Sequence, residues 1–92
     1  RDAQGKTPLI HASSGPYAET VELLIELGAD INATDNGEGF TALMTAAALG
    51  QKDVVSVLLE AGADKTITEG DGDTALSHAQ TTGNTEIVEL LK

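Results

Sequence analysis

Residues 35–68 read DNGEGFTALMTAAALGQKDVVSVLLEAGADKTIT. Val54, Val57, Leu58 and Ala61 fall at i, i+3, i+4 and i+7, with Val55 and Leu59 widening the stripe, so the spacing predicts an apolar-faced helix from about 52 to 61. Gly62 follows the last periodic residue, where a residue without a Cβ can take the left-handed conformation that ends helices. Upstream, Thr41 is placed to accept a backbone N–H through its hydroxyl, and Ala42, Leu43, Ala46 and Ala47 follow as a shorter helix with one small, tightly packable face. Gly50 separates the two helices, so they fold back on one another. Helices this short cannot bury both faces alone, which is a physical reason to look for copies of the unit.

The copies are present. Thr7, Thr41 and Thr74 head three aligned blocks at spacings of 34 and 33 residues, each followed by Leu two positions on (Leu9, Leu43, Leu76) and Ala five positions on (Ala12, Ala46, Ala79). The second helices align as Thr20-Val21-Glu22-Leu23-Leu24, Val54-Val55-Ser56-Val57-Leu58 and Ile87-Val88-Glu89-Leu90-Leu91, and Gly28-Ala29-Asp30 recurs as Gly62-Ala63-Asp64. The matches hold register over two full periods.

With these residues in view, the chain resembles the ankyrin repeat family, whose unit has about 33 residues and a T-P-L-H-x-A signature. Asp2-x-x-Gly5-x-Thr7-Pro8-Leu9 through Asn32, Gly39-Phe40-Thr41-Ala42-Leu43 through Asp64, and Gly72-Asp73-Thr74-Ala75-Leu76 through Leu91 look like three family repeats. The resemblance covers essentially the whole chain. It implies an all-α repeat solenoid of helix-turn-helix units joined by β-hairpin loops, with repeats at 2–34, 35–68 and 69–92. The last repeat is truncated. Gln80, Thr81, Thr82 and Asn84 make it more polar than Ala47-Ala48-Leu49, as a C-terminal cap facing water requires. The first repeat is as apolar as an interior unit, so further repeats are expected to precede Arg1 in a longer parent chain.

Three departures from the family pattern carry expectations of their own. The signature histidine position holds Ile10, Met44 and Ser77, while the next holds His11, Thr45 and His78, read as polar packing residues along one edge of the first-helix stack. The loop 34–40 carries one extra residue. Pro16 stands where an interhelix glycine is usual, with Gly15 one place earlier, which predicts a distorted turn after a first helix running to about Ser14. The second helix is expected at about 19–27, with Val21, Leu23, Leu24, Ile25 and Leu27 as a wide apolar face and Glu19, Glu22 and Glu26 toward water.

Composition narrows the chemistry. Fifteen acids against five bases give a formal net charge of −10, with no basic cluster. Such a field repels phosphate backbones and anionic lipid, so nucleic acid and membrane surfaces are poor partners and a basic or mixed protein surface is favoured. With no cysteine there is no disulfide or thiolate-ligated zinc, which suits an intracellular setting. No apolar run approaches the ~20 residues of a membrane span.

Several patterns imitate catalytic or ligand sites. Residues 37–42 and 70–75 both fit G-x-G-x-x-A, yet no buried strand precedes them, and their recurrence in register marks them as repeat turns. Asp30, Asn32 and Thr34 begin like a calcium loop, but Asp35 stands where glycine is needed and Thr41 where a bidentate glutamate is needed. Layers ~8–10 Å apart keep His11 and His78 from sharing one metal. Asn32-Ala33-Thr34 fits the glycosylation sequon without a secretory context. No catalytic residues, cofactor, metal or small-molecule substrate are expected.

The resemblance implies that partners bind the hairpin tips and the exposed first-helix positions on one concave side. Carried onto this chain, the candidates are Gln4 and Lys6, Glu38 and Phe40, and Asp71 and Asp73 at the tips, with Ser14, Leu49, Thr81 and Thr82 on the helices. Phe40 is the sole phenylalanine; it reads either as a partner anchor or as packing for a neighbouring tip. The expected function is therefore a non-catalytic protein-binding module with an acidic concave groove. The alternative is an architectural spacer in a longer multidomain protein.

Overall fold

The computed structural model describes residues 5–92 of the 92-residue chain. Among them six helices follow in order: α1 Pro8–Ala12, α2 Ala18–Glu26, α3 Ala42–Ala48, α4 Lys52–Glu60, α5 Ala75–Thr82 and α6 Thr85–Leu91. They pair as α1/α2, α3/α4 and α5/α6, and the pairs stack side by side, with α3 between α1 and α5 and α4 between α2 and α6.

Repetition in sequence becomes repetition of local chemistry. Thr7, Thr41 and Thr74 each hold extended backbone, and their hydroxyls accept the amide N–H of Ile10, Met44 and Ser77, every time at 3.2 Å. Each such cap stabilises its helix start by about 0.5–2 kcal/mol relative to alanine, which locks the three units in phase. At the other end, Gly28 and Gly62 take φ of +93° and +91°, and the amides of Ala29 and Ala63 reach back to the carbonyls of Leu24 and Leu58, each at 3.0 Å. The left-handed helix stop expected at Gly62 is present and is duplicated at Gly28.

Burial at equivalent positions shows which way each residue faces. Val54 and Ile87 are fully buried, whereas their counterpart Thr20 in the first pair is exposed, so this position looks toward the preceding repeat. Ser13 and Ala47 are fully buried, whereas Gln80 is exposed, so that position looks toward the following one. Leu58 and Leu91 lie in one continuous core with Leu9, Leu43 and Met44, and Leu24 packs against it at half burial. Small side chains at Ala42, Ala46, Ala47, Ala75 and Ala79 let the first helices approach closely.

Four details differ from the sequence reading. First, α1 ends at Ala12, two residues early. Gly50 and Gly83 both take φ of +75°, and the following amides, Gln51 and Asn84, bond back to Ala46 and Ala79. Pro16 cannot take a positive φ, so Tyr17 bonds to Gly15 at 2.9 Å, and the hydroxyls of Ser13 and Ser14 fold back on the carbonyls of Leu9 and His11. Second, the apolar face of α2 is not all core. Leu23 is 53% and Leu27 74% exposed although α2 packs against both α1 and α4, and their counterparts Leu90 and Ala61 in later repeats are exposed as well, so these positions face away from the stack. Third, the edge residues part company: His11 is exposed, while Thr45 and His78 are half-buried. Fourth, no strand occurs among the described residues. The loops expected as β-hairpins are turns closed by an acidic side chain. Asp35 Oδ1 accepts the amides of Glu38, Gly39 and Phe40, and Glu69 Oε1 those of Asp71 and Asp73, in addition to one backbone bond across the first turn and two across the second. These carboxylates take up the amides that a strand ladder would have used. The extra residue of the 34–40 loop is accommodated by the third amide on Asp35.

Candidate protein-binding cleft

The two junctions between repeats are built from the same positions with different residues. Phe40 immediately precedes its capping threonine, and His78 stands four residues beyond the next one. Their rings pack at 4.9 Å between centroids and 44° between planes, filling the slot between the second and third tips. Below them Glu69, almost fully buried, holds the third turn through Oε1 and places Oε2 3.5 Å from His78 Nε2, a buried nitrogen with no hydrogen-bond partner. The amide of Gly70 donates to Glu38 O at 2.7 Å and ties tip to tip.

At the first junction the corresponding pair is Lys6 and Thr45. A flexible chain and a small one replace two rings, and Thr45 turns its hydroxyl inward to Thr41 O at 3.0 Å. The slot stays open as a cleft of about 350 Å³, lined by Lys6, Asp35, Gly37, Glu38, Phe40, Thr45, Ala48 and Leu49. Its floor is apolar and its rim charged. Leu49 contributes an exposed side chain at 55% relative accessibility, and Phe40 presents the side not covered by His78.

The structure thus brings four of the expected site residues together: Lys6, Glu38, Phe40 and Leu49. Ser14, Thr81 and Thr82 are exposed but do not line the cleft, and their hydroxyls are engaged by the carbonyls of His11, Ser77 and Ala79 at 2.7, 3.0 and 3.1 Å. Asp71 and Asp73 are exposed at the third tip and do not line the cleft. Gln4, with the start of the first repeat, lies outside the described residues. Phe40 packs its ring on His78 of α5 and also lines the cleft. Sequence reasoning missed Asp35 and Thr45 as lining residues. The signal for Thr45 was available in its alignment with His78.

Charge around the cleft is lopsided. The carboxylates of Glu38, Glu69 and Asp71 come within 4.8 Å of one another at the second junction, where Glu69 is already held by two amides. Elsewhere on the stack Asp64 sits below the ordinary carboxylate range because the Thr66 hydroxyl and then the Thr66 amide bond to it, at 2.6 and 2.8 Å. Lys52 on α4 and Glu86 on α6 form an ion pair across the second junction. The hydrogen bond and then the charge attraction between them raise the lysine pKa and lower that of the glutamate.

Comparison with known proteins agrees with this architecture. A family model described as "Ankyrin repeats (3 copies)" matches residues 1–69, and the chain belongs to the ankyrin repeat family, whose members are protein-interaction modules and generally non-catalytic. It is 39% identical over 92 residues to "Ankyrin repeat and SAM domain-containing protein 6" of Rattus norvegicus, covering 98% of this chain and 10% of that protein. It is 42% identical over 93 residues to "Probable E3 ubiquitin-protein ligase XBOS34" of Oryza sativa subsp. japonica, covering 99% and 18%. A third relative, "Dauer abnormal formation protein 25" of Caenorhabditis elegans, is 35% identical over 91 residues, covering 99% and 24%. The chain therefore spans less than a quarter of the length of each of these relatives. No helix among the described residues is long and apolar enough to cross a membrane.

Proposed function

We propose that this chain is a non-catalytic docking module that receives a basic or mixed protein segment on its concave side, with the cleft between the first and second repeats as the principal contact. One observation carries the reading: an apolar floor of Phe40, Ala48 and Leu49 is open to solvent beneath a rim holding Asp35 and Glu38. Aliphatic stems of lysine or arginine suit such a floor, while their charged heads reach the acidic rim. The net charge of −10 adds long-range attraction for a basic segment and repulsion for nucleic acid and anionic lipid. The third tip, with Asp71 and Asp73, extends the same negative ledge. Ser14, Thr81 and Thr82 on the first helices form its outer edge. We place the third repeat as the C-terminal cap of the stack, on the polar Gln80 standing where the second repeat has Ala47.

The test is a set of extended peptides of equal length and basic, neutral or acidic composition, offered to the intact chain in fluorescence anisotropy titrations. Basic peptides should bind most tightly and weaken with salt. Leu49→Asp and Glu38→Lys should each reduce that binding while melting stays unchanged. Equal binding of all three compositions, or indifference to both substitutions, would reject the docking surface and leave the spacer reading.

A further inference from the structure

We propose that Asn36-Gly37, at the tip of the loop beside the cleft, is a site of spontaneous deamidation in the folded protein, converting the carboxamide to aspartate and isoaspartate through a cyclic imide. The chain has three asparagines, and only this one pairs a carboxamide without a hydrogen-bond partner among the described residues with a following amide that has no acceptor there. Asn32 precedes Ala33, and its Oδ1 accepts the amide of Asp64 at 2.9 Å. Asn84 precedes Thr85, and its Oδ1 caps α6 through the amide of Ile87 at 3.3 Å. Asn36 is exposed, and its carboxamide makes no hydrogen bond among the described residues. Its successor has no side chain to hinder attack, and a Cβ built at Gly37 would meet nothing within 4 Å.

The nucleophile is equally free. Asp35 Oδ1 takes the amides of residues 38, 39 and 40 and skips that of Gly37, which has no acceptor among the described residues. The one comparable aspartate, Asp71 before Gly72, is restrained, because the Gly72 amide donates to Glu69 O at 2.8 Å and the Asp71 amide to Glu69 Oε1. The Gly37 amide is thus outside the capping set, directly after an asparagine.

The chemistry balances with water alone. The Gly37 amide gives its proton to hydroxide, and its nitrogen bonds to Asn36 Cγ. The Cγ–Nδ2 bond breaks, and the leaving nitrogen takes up protons from water as ammonia. Water then opens the five-membered imide at either carbonyl, breaking that C–N bond and leaving a carboxylate. One water enters and one ammonia departs, carrying off the carboxyl proton as ammonium. The product adds one negative charge, so the formal net charge goes from −10 to −11. That charge arises beside Glu38 on the cleft rim, where Gly37 itself is a lining residue. The isoaspartate form also inserts a methylene into the backbone and withdraws the side chain from Gly5, against which the carboxamide lies.

The intact folded chain is aged at mildly alkaline pH and followed by ion-exchange chromatography, with tandem mass spectrometry to locate the change. An acid-shifted species modified at residue 36 should accumulate, faster at higher pH, while Asn32 and Asn84 stay intact. Asn36→Gln and Gly37→Ala should abolish or strongly slow it. A short peptide spanning residues 31–42 sets the rate without the fold, and the folded chain should react within a few-fold of it. The proposal is overturned if the folded chain stays unmodified at residue 36 while the peptide reacts, if Asn32 or Asn84 reacts as fast, or if Gly37→Ala changes nothing.

Discussion

The two inter-repeat junctions start from one plan and end differently. Between the second and third repeats an aromatic pair, a buried glutamate, a tip-to-tip hydrogen bond and the Lys52–Glu86 ion pair close the slot. Between the first and second, Lys6 and Thr45 occupy the Phe40 and His78 positions and leave the slot open. The stack can tolerate this because the apolar seam behind the tips does not depend on them. Val21, Val54, Leu58, Ile87 and Leu91 are all buried, beside the open slot and the filled one alike. Stability is concentrated in the helical seam, and the tips are left to differ in chemistry.

Several substitutions would break or sharpen this contrast. The largest effect is expected deep in the seam. Leu58→Ala, at a position facing the first junction, and Leu91→Ala, at its counterpart facing the second, should each cost about 2–5 kcal/mol in urea unfolding. Similar losses would show that the seams are equivalent despite unequal tips; a far smaller loss for Leu58→Ala would make the open junction weak throughout. Gly62→Val comes next, at about 1–3 kcal/mol, because φ of +91° strains any side chain even where nothing is crowded. Loss of the ring pair in Phe40→Ala should cost about 1–2 kcal/mol, whereas Leu49→Ala should cost less than ~0.5 kcal/mol. Equal melting of these two variants would contradict the assignment of Phe40 to both junction and cleft.

Filling the open slot should move binding more than stability. Thr45→His, which copies His78, should change unfolding by less than ~1 kcal/mol and weaken the basic peptide in the anisotropy titration. The smallest effect concerns Glu86. Its folded pKa is lowered by Lys52, so its contribution is present above the ordinary glutamate pKa and disappears as pH falls through the folded value. The raised lysine adds stability that is lost only as pH climbs past the ordinary lysine range. Glu86→Gln should therefore lower the melting temperature slightly at neutral pH and low salt, and leave it unchanged in acid. A large shift would mean that this exposed pair holds the closed junction more firmly than surface ion pairs do.

How much of this was legible beforehand varies with the range of the interaction. The caps at Thr7, Thr41 and Thr74 and the stops at Gly28 and Gly62 are local, and their register in sequence announces them. The early end of α1 was half legible. Pro16 signals a disturbed turn, but the hydroxyls of Ser13 and Ser14 returning to the backbone are a choice made in three dimensions. Leu23 and Leu27 show the limit of periodicity, since an apolar stripe records what could be buried and not what covers it. At the candidate site, Lys6, Glu38, Phe40 and Leu49 followed from their positions in the repeat. Their convergence depends on contacts between units dozens of residues apart.

Sequence alone determined the repeat, its phase, its helices and its acidity, because each rests on residues a few places apart and on composition. Tertiary structure decided which slot between tips is filled and which stays open. Phe40 can fill a slot only when stacking places His78 opposite it, and Lys6 leaves one open only because Thr45 stands there instead. Whether a slot between neighbouring repeats is filled is a matter of facing volumes, and one strand of letters does not contain that information until the chain has folded against itself.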